Sequence, residues 1–163
     1  MKKIKLTQDK YALVDDCDYE YLNQWKWRIQ KNGRTFYVIR NSRKDECKTR
    51  ISISMHRIIL QRTGIEFKQV DHIDGNGLNN CRLNLRAATQ QENSYNQSKQ
   101  KHNTSGYKGV FWHEKSQKWY VQIRFNGSTI HLGLFNSKIE AARVYNQAAR
   151  KYHGKFARLN KIK

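Results

Sequence analysis

Apolar and polar positions follow three different rhythms along the chain. Through residues 1 to about 50 they alternate at the two-residue period of strands. Tyr11-Ala12-Leu13-Val14 makes one short strand, which Asp15-Asp16 ends. Trp25-Lys26-Trp27-Arg28-Ile29 makes another. Asn32-Gly33 then offers a two-residue turn, because both residues tolerate positive φ, and residues 35–39 alternate back. The aromatic residues here fall at strand spacing and read as core.

Over residues 51–98 the rhythm lengthens. Ser54 is placed to cap a short helix through Met55, His56, Ile58, Ile59 and Leu60, with Gly64 closing it. After Val70 comes a loop rich in Asp, Gly and Asn, then a short strand over 83–86. Thr89-Gln90-Gln91-Glu92 has capping-box spacing and predicts a helix carrying Asn93 in its first turns. Residues 94–106 almost lack apolar anchors and read as a linker, with Lys99 and Lys101 available to phosphates.

Residues 107–160 show the clearest pattern. Trp119, Val121, Ile123 and Phe125 alternate with Lys118, Tyr120, Gln122 and Arg124, giving a strand with one apolar and one polar-basic face. Asn126-Gly127 turns it into a return strand ending near Leu134. Ser137-Lys138-Ile139-Glu140 is a second capping box. The helix behind it sets Ala141, Val144, Tyr145, Ala148, Ala149 and Tyr152 on one face and ends at Gly154. The expected organisation is α+β: a β-rich lead-in and nuclease-like unit over 1–98, a basic polar linker over 99–106, and a sheet-and-helix unit over 107–163.

Composition adds a partner to this outline. Among 163 residues, 32 are Lys or Arg and 13 are Asp or Glu, for a net charge of +19. An excess of that size points to a polyanion, nucleic acid first, because Lys and Arg displace counterions condensed on phosphates. Residues 1–95 hold 18 basic and 11 acidic side chains, whereas residues 96–163 hold 14 and 2. The front needs carboxylates; the back nearly excludes them. Cys17, Cys47 and Cys81 are too widely spaced for a disulfide framework or a cysteine-rich zinc site. Neither a signal peptide nor a membrane-spanning run is evident, so a cytoplasmic protein with no membrane partner is expected.

The chemistry gathers in Val70-Asp71-His72-Ile73-Asp74-Gly75-Asn76, Asn84-Leu85-Arg86 and Asn93. Phosphodiester hydrolysis needs a base that works near neutral pH, and His suits that task. It also needs a hard divalent cation, which prefers oxygen ligands. Adjacent strand residues point to opposite sides, so Asp71 and His72 would share a site only on a kinked or loop-like backbone. Asn84 could brace the loop through backbone groups beside His72.

This set resembles the HNH nuclease family, in particular its phage and intron-associated homing-type members. They show Asp-His, an acidic residue-Gly-Asn loop, Asn-Leu-Arg, and a final His or Asn on a helix. Met55-His56-Arg57-Ile58-Ile59 also matches the helix preceding the motif there. The resemblance covers roughly residues 50–98 and implies a strand-strand-helix site around one metal ion. It makes His72 the general base, Asp71 and Asn93 the metal ligands, and Asn84 the residue orienting the His72 loop. Asn93 in the third motif position favours Mg²⁺ or Mn²⁺ over zinc. His56 reads as a structural residue of its helix rather than a ligand.

Residues 107–160 resemble the plant ethylene-response-factor (Apetala-type) DNA-binding domain. The matching pieces are Tyr107-Lys108-Gly109-Val110, Trp119-Tyr120-Val121-Gln122-Ile123-Arg124, Leu132-Gly133-Leu134-Phe135, Glu140-Ala141-Ala142-Arg143-Val144-Tyr145, and Gly154 through Ala157-Arg158-Leu159-Asn160. The resemblance implies a three-stranded sheet packed on one helix and laid in the major groove. It carries DNA contacts to Lys108, Lys118, Gln122, Arg124 and His131. The family usually has Arg at Lys108, Phe111 and His113, Glu at Gln122 and Trp at His131, so its target sequence does not transfer. The leading expectation is a metal-dependent endonuclease on double-stranded DNA, a monomer with no small-molecule substrate. The alternatives are a non-catalytic DNA-binding regulator with a relic HNH unit, and an RNA-binding protein.

Overall fold

The structure is a computed structural model that describes residues 1–33, 35–42 and 49–162; Cys47 lies outside them. The chain falls into two compact units, Met1–Gln90 and Gln91–Lys163. The α+β class holds: among the described residues there are four α-helices and several small antiparallel sheets.

In the first unit β1 (Lys2–Lys5) pairs antiparallel with β2 (Tyr11–Val14). Helix α1 (Asp16–Asn23) follows at once. Next come β3 (Arg28–Asn32) and β4 (Thr35–Asn41), with β5 (Ser52–Ser54) on the far side of β4. Helix α2 (Met55–Arg62) leads to the two-stranded pair β6 (Gln69–His72) and β7 (Leu85–Ala88). Ile4, Val14, Leu22, Trp27, Val38, Met55, Ile59, Val70 and Leu85 form one core, so α2 is buried against strands from both ends of the unit. The Trp27 indole N–H donates to the Leu22 carbonyl at 2.8 Å, which satisfies the polar edge of a buried ring.

Four local expectations are corrected here. Residues 16–23 are a helix, not part of a strand-rich lead-in. Asp15 stands at its N-cap position, and Asp16 and Asp18 in the first turn complement the helix dipole. Asn32 is still in the ladder, paired with Thr35, so the reversal begins at Gly33 (φ +58°). Ser54 precedes α2 but makes no side-chain cap bond, because it remains a strand residue paired with Ile39. The strand expected over 83–86 starts at Leu85; Arg82–Asn84 is a 3₁₀ turn that leaves Leu83 94% exposed.

The second unit contains most of α3 (Gln90–Asn96), then β8 (Val110–His113), β9 (Lys118–Phe125), β10 (Ser128–Phe135) and α4 (Lys138–His153). The sheet is antiparallel with β9 central. Its inner residues Val110, Val121 and Ile123 pack on Ala141, Ala142, Tyr145, Ala148 and Ala149 of α4. The alanines let the helix lie close. A Cβ on Gly109 would run into the Tyr145 ring and the Gln122 carbonyl, which is why that position has no side chain. Asn126 and Gly127 take φ +48° and +81°, as a tight hairpin requires, and the Ser137 hydroxyl caps α4 through the Glu140 N–H. The end of the expected linker is ordered: Ser105 is buried and donates to the Val110 carbonyl at 2.8 Å, and Asn103 holds the Tyr107 carbonyl.

Helix α3 is fixed within this unit. The Tyr95 ring stacks on His153 with centroids 3.8 Å apart, and its hydroxyl accepts from the Gln91 amide. Gln91 also donates to Asn126, and Lys108 Nζ donates to the carbonyls of Tyr95 and Gln97. A lysine at the C-terminal end of a helix meets carbonyls that have no partner within the helix. Among the described residues no helix is long and apolar enough to cross a membrane, and Cys17 and Cys81 are free thiols.

Candidate active site

Strand β6 ends on the two residues the motif begins with. Asp71 and His72 are only 4% and 5% exposed, and both stay in register with β7, Asp71 opposite Arg86 and His72 opposite Leu85. The backbone is therefore not kinked between them, contrary to the expectation; it turns only afterwards, at Gly75 (φ +76°). Arg86 places Nε and Nη2 at 2.8 and 2.6 Å from Asp71 Oδ2. His72 meets a different set: its ring lies 5.1 Å from the His56 ring and 5.8 Å from the Tyr37 ring. Burial, then the Asp71 charge, raises the Tyr37 phenol above the ordinary range.

Burial outweighs the nearby charges at His72. Burial pushes its imidazole down, while the Asn80 hydrogen bond and the charges of Asp74 and Asp71 pull the other way. His56 is pushed down to about 3 by burial, then by His72 and Arg57. Nδ1 of His56 is shielded from solvent and has no hydrogen-bond partner.

The loop after His72 is built from amide side chains. Asn84 accepts the Ile73 N–H through its carbonyl (2.9 Å) and the Asp74 N–H through Oδ1 (3.0 Å). Its amide donates to Asp74 Oδ1 and to the Asn79 carbonyl. Asp74 also accepts from the Asn76 N–H and the Asn79 amide. Burial opposes these bonds, yet together they hold the Asp74 carboxyl below its usual range. The loop is pinned to β2, since Leu13 N–H donates to Leu78 and Asn80 N–H to Leu13. It is pinned to α1 as well. Wholly buried Asp18 accepts from Arg82 Nε and Nη2 at 2.7 and 2.8 Å and from Arg62 Nε at 3.3 Å, and the Arg82 bond holds its pKa down.

Asp71 and His72 are thus consecutive at the end of β6 with their side chains on opposite sides of the strand, and Asn84 fixes the backbone that follows them. Asn93 lies half-buried on α3, in the other unit. Arg86, Asn80, Tyr37 and the Asp18–Arg82 pair are further members that sequence reasoning did not single out. Arg86 was in view as the last letter of Asn-Leu-Arg; the others come from distant elements or from a loop read as generic.

On the second unit, register puts Phe111, His113, Lys118, Tyr120, Gln122, Arg124, Thr129 and His131 on the sheet face opposite α4. Lys118, Arg124 and His131 are exposed and Gln122 is half-buried beside His131, whose ring stacks on Tyr120 at 4.6 Å. Lys108 is half-buried, with its side chain turned toward the chain after Tyr95. Its ammonium donates to the carbonyls of Tyr95 in α3 and of Gln97 just after it, and burial, then Arg158, pushes its pKa down to about 8.

Comparison with known proteins agrees with the motif. The family model for HNH endonuclease matches residues 55–95. Protein 3.8 of Escherichia phage T7 is 38% identical over 89 residues, 55% of this chain and 73% of that protein. An uncharacterized HNH endonuclease, L560, of Acanthamoeba polyphaga mimivirus is 32% identical over 153 residues, which cover 93% of this chain and 75% of that protein. The chain belongs to the HNH endonuclease family. No solved structure matches it. HNH endonucleases act on nucleic acid and generally use a divalent metal ion. Among the described residues no group of three or more His, Cys, Asp or Glu could hold one. The HNH unit offers the carboxylate of Asp71, with Asp74 on the loop that follows. That donor set fits a hard divalent ion that takes its other oxygens from phosphate and water.

Proposed function

We propose that the protein is a metal-dependent DNA endonuclease that hydrolyses phosphodiester bonds through His72. The observation carrying this reading is a buried imidazole at the end of β6, its pKa lowered by burial, adjacent in sequence to the Asp71 carboxylate and followed by a loop that Asn84 ties to the next strand. A neutral imidazole can take a proton from water; one already protonated could not. Asp71 and Asn93 would hold Mg²⁺ or Mn²⁺, Asn93 on the strength of its motif position alone. When bound, the ion would offset charge on the scissile phosphate. Arg86 orients the Asp71 carboxylate, and Asn84 keeps the backbone after His72 from swinging away.

The C-terminal unit supplies affinity in this reading. Its exposed sheet face carries Lys118, Gln122, Arg124 and His131, types that reach guanine, adenine or phosphate in the major groove. That face and the likeness to the ethylene-response-factor domain support double-stranded DNA as the substrate. One active site in a monomer nicks one strand.

The test is incubation of supercoiled plasmid with the wild-type protein and His72→Ala, with Mg²⁺, with Mn²⁺ and with EDTA. Nicking should need the cation and fall by about 10²–10⁴ in His72→Ala, the usual contribution of a general base. Undiminished nicking by His72→Ala, or in EDTA, would overturn the assignment.

A further inference from the structure

The outer face of the C-terminal sheet is not uniformly polar. Register sets Phe111 of β8 opposite Tyr120 of β9, and Tyr120 opposite Leu134 of β10. Alternation puts all three on the side away from α4, because their neighbours Val110, Val121 and Phe135 pack toward it. They form one row across the sheet. Phe111 is 38% and Leu134 40% exposed, and neither belongs to the core beneath α4. Single exposed apolar residues are ordinary, but two large ones aligned on a basic face need a cause. The rows on either side are polar: His113 pairs with Lys118 on one, and Gln122 with His131, then Arg124 with Thr129, on the other. None of these flanking residues is acidic.

An apolar row between cations suits a partner that is anionic at its rims and carries small apolar groups between them. The major groove of DNA is such a surface, since phosphates line it and thymine places its C5-methyl in it. An apolar protein surface would instead bury the flanking cations without partners, at a cost. The dimensions agree with the groove. Phe111 and Leu134 stand on the two outer strands, about 10 Å apart by strand spacing, and the groove is about 12 Å wide. We propose that this row reads thymine, Phe111 and Leu134 each packing against a 5-methyl group, so that the C-terminal unit prefers sites with thymine at the steps facing them. This rests on the reading of the face as a major-groove surface. Hydrogen bonds from Gln122 or Arg124 cannot tell thymine from uracil, which differ only by that methyl; an apolar contact can.

The test uses a duplex selected from a random pool by the full-length protein and resynthesised with deoxyuridine at each thymidine in turn. In fluorescence anisotropy, wild type should lose about fourfold in affinity at the thymines facing the row, the worth of one buried methyl. At the same positions 5-methylcytosine should bind better than cytosine. Phe111→Ala and Leu134→Ala should each abolish the discrimination at a different thymine. Equal affinity for thymine and uracil at every position in wild type, or undiminished discrimination in both variants, overturns the proposal while leaving groove docking in place. A protein that binds no duplex fails the groove reading, and the row falls with it. Concentration-dependent self-association in sedimentation, abolished by Phe111→Ala or Leu134→Ala, would assign the row to a second copy of the chain and overturn the proposal as well.

Discussion

Asp71 is neutralised within its own sheet. Both nitrogens of the Arg86 fork reach one carboxylate oxygen, and the two side chains are 5% and 14% exposed. Removing one partner of a buried pair leaves a charge without compensation, so Arg86→Met should lower unfolding free energy by about 3–5 kcal/mol. Urea denaturation measures this, and a loss under about 1 kcal/mol would show that the pair is not what holds Asp71. His56 makes a prediction about acid. Its folded-state pKa is depressed from 6.5 to about 3, so below pH 6.5 the unfolded chain binds a proton that the folded chain refuses. Stability should therefore fall as pH drops from about 6.5 toward about 3. His56→Phe should reduce that fall, leaving the part due to His72 and His153, whose pKa values are lowered by burial too. An unchanged pH dependence of the urea midpoint would contradict this.

Elements differ in whether their ends are held locally. Ser137 caps α4 through its side chain and Ser54 does not cap α2, so the two serines should respond differently to the same substitution. Ser137→Ala should cost about 1 kcal/mol and Ser54→Ala only a few tenths, compared by thermal unfolding. The same contrast explains what the sequence disclosed. Asn126-Gly127, the alternation through β9 and the capping box before α4 are signals complete within a few residues, and they were legible. Helix α1 was not: eight residues are too few for an apolar stripe, and the buried Asp18 is stabilised by Arg82, far along the chain. In the candidate site, the Asp-His pair and Asn84 stood out through their resemblance to the HNH motif. Asn80 looked like one more residue of an Asn-rich loop, and Tyr37 lies on a strand with no motif of its own. Their parts in the site come from packing between elements.

At the scale of the whole molecule, charge is divided between the two units. The second unit, Gln91–Lys163, holds 14 of the 32 basic side chains and 3 of the 13 acidic ones. DNA binding should weaken steeply with salt, and Arg124→Ala should weaken it further and, if Arg124 meets a phosphate, flatten the salt dependence by about one counterion. Lys108→Met should act otherwise: since its ammonium serves the end of α3, it should lower stability with little change in that slope. Fluorescence anisotropy across a salt series separates the two, and a slope change from Lys108→Met alone would reverse the assignment.

The anchoring of α3 also bears on how such chains can be recombined. A break at residue 98 would strip Tyr95 of its stacking partner His153 and the ends of α3 of Lys108, whereas a break after Gln90 keeps those groups together. A chimera given a foreign C-terminal unit should be joined at that earlier seam. It then imports the donor's α3 and whatever residue stands at the position of Asn93. Under the proposed function, exchanging the C-terminal unit by this route exchanges the residue at the Asn93 position with it, so new specificity and new metal preference would be inherited as a single cassette.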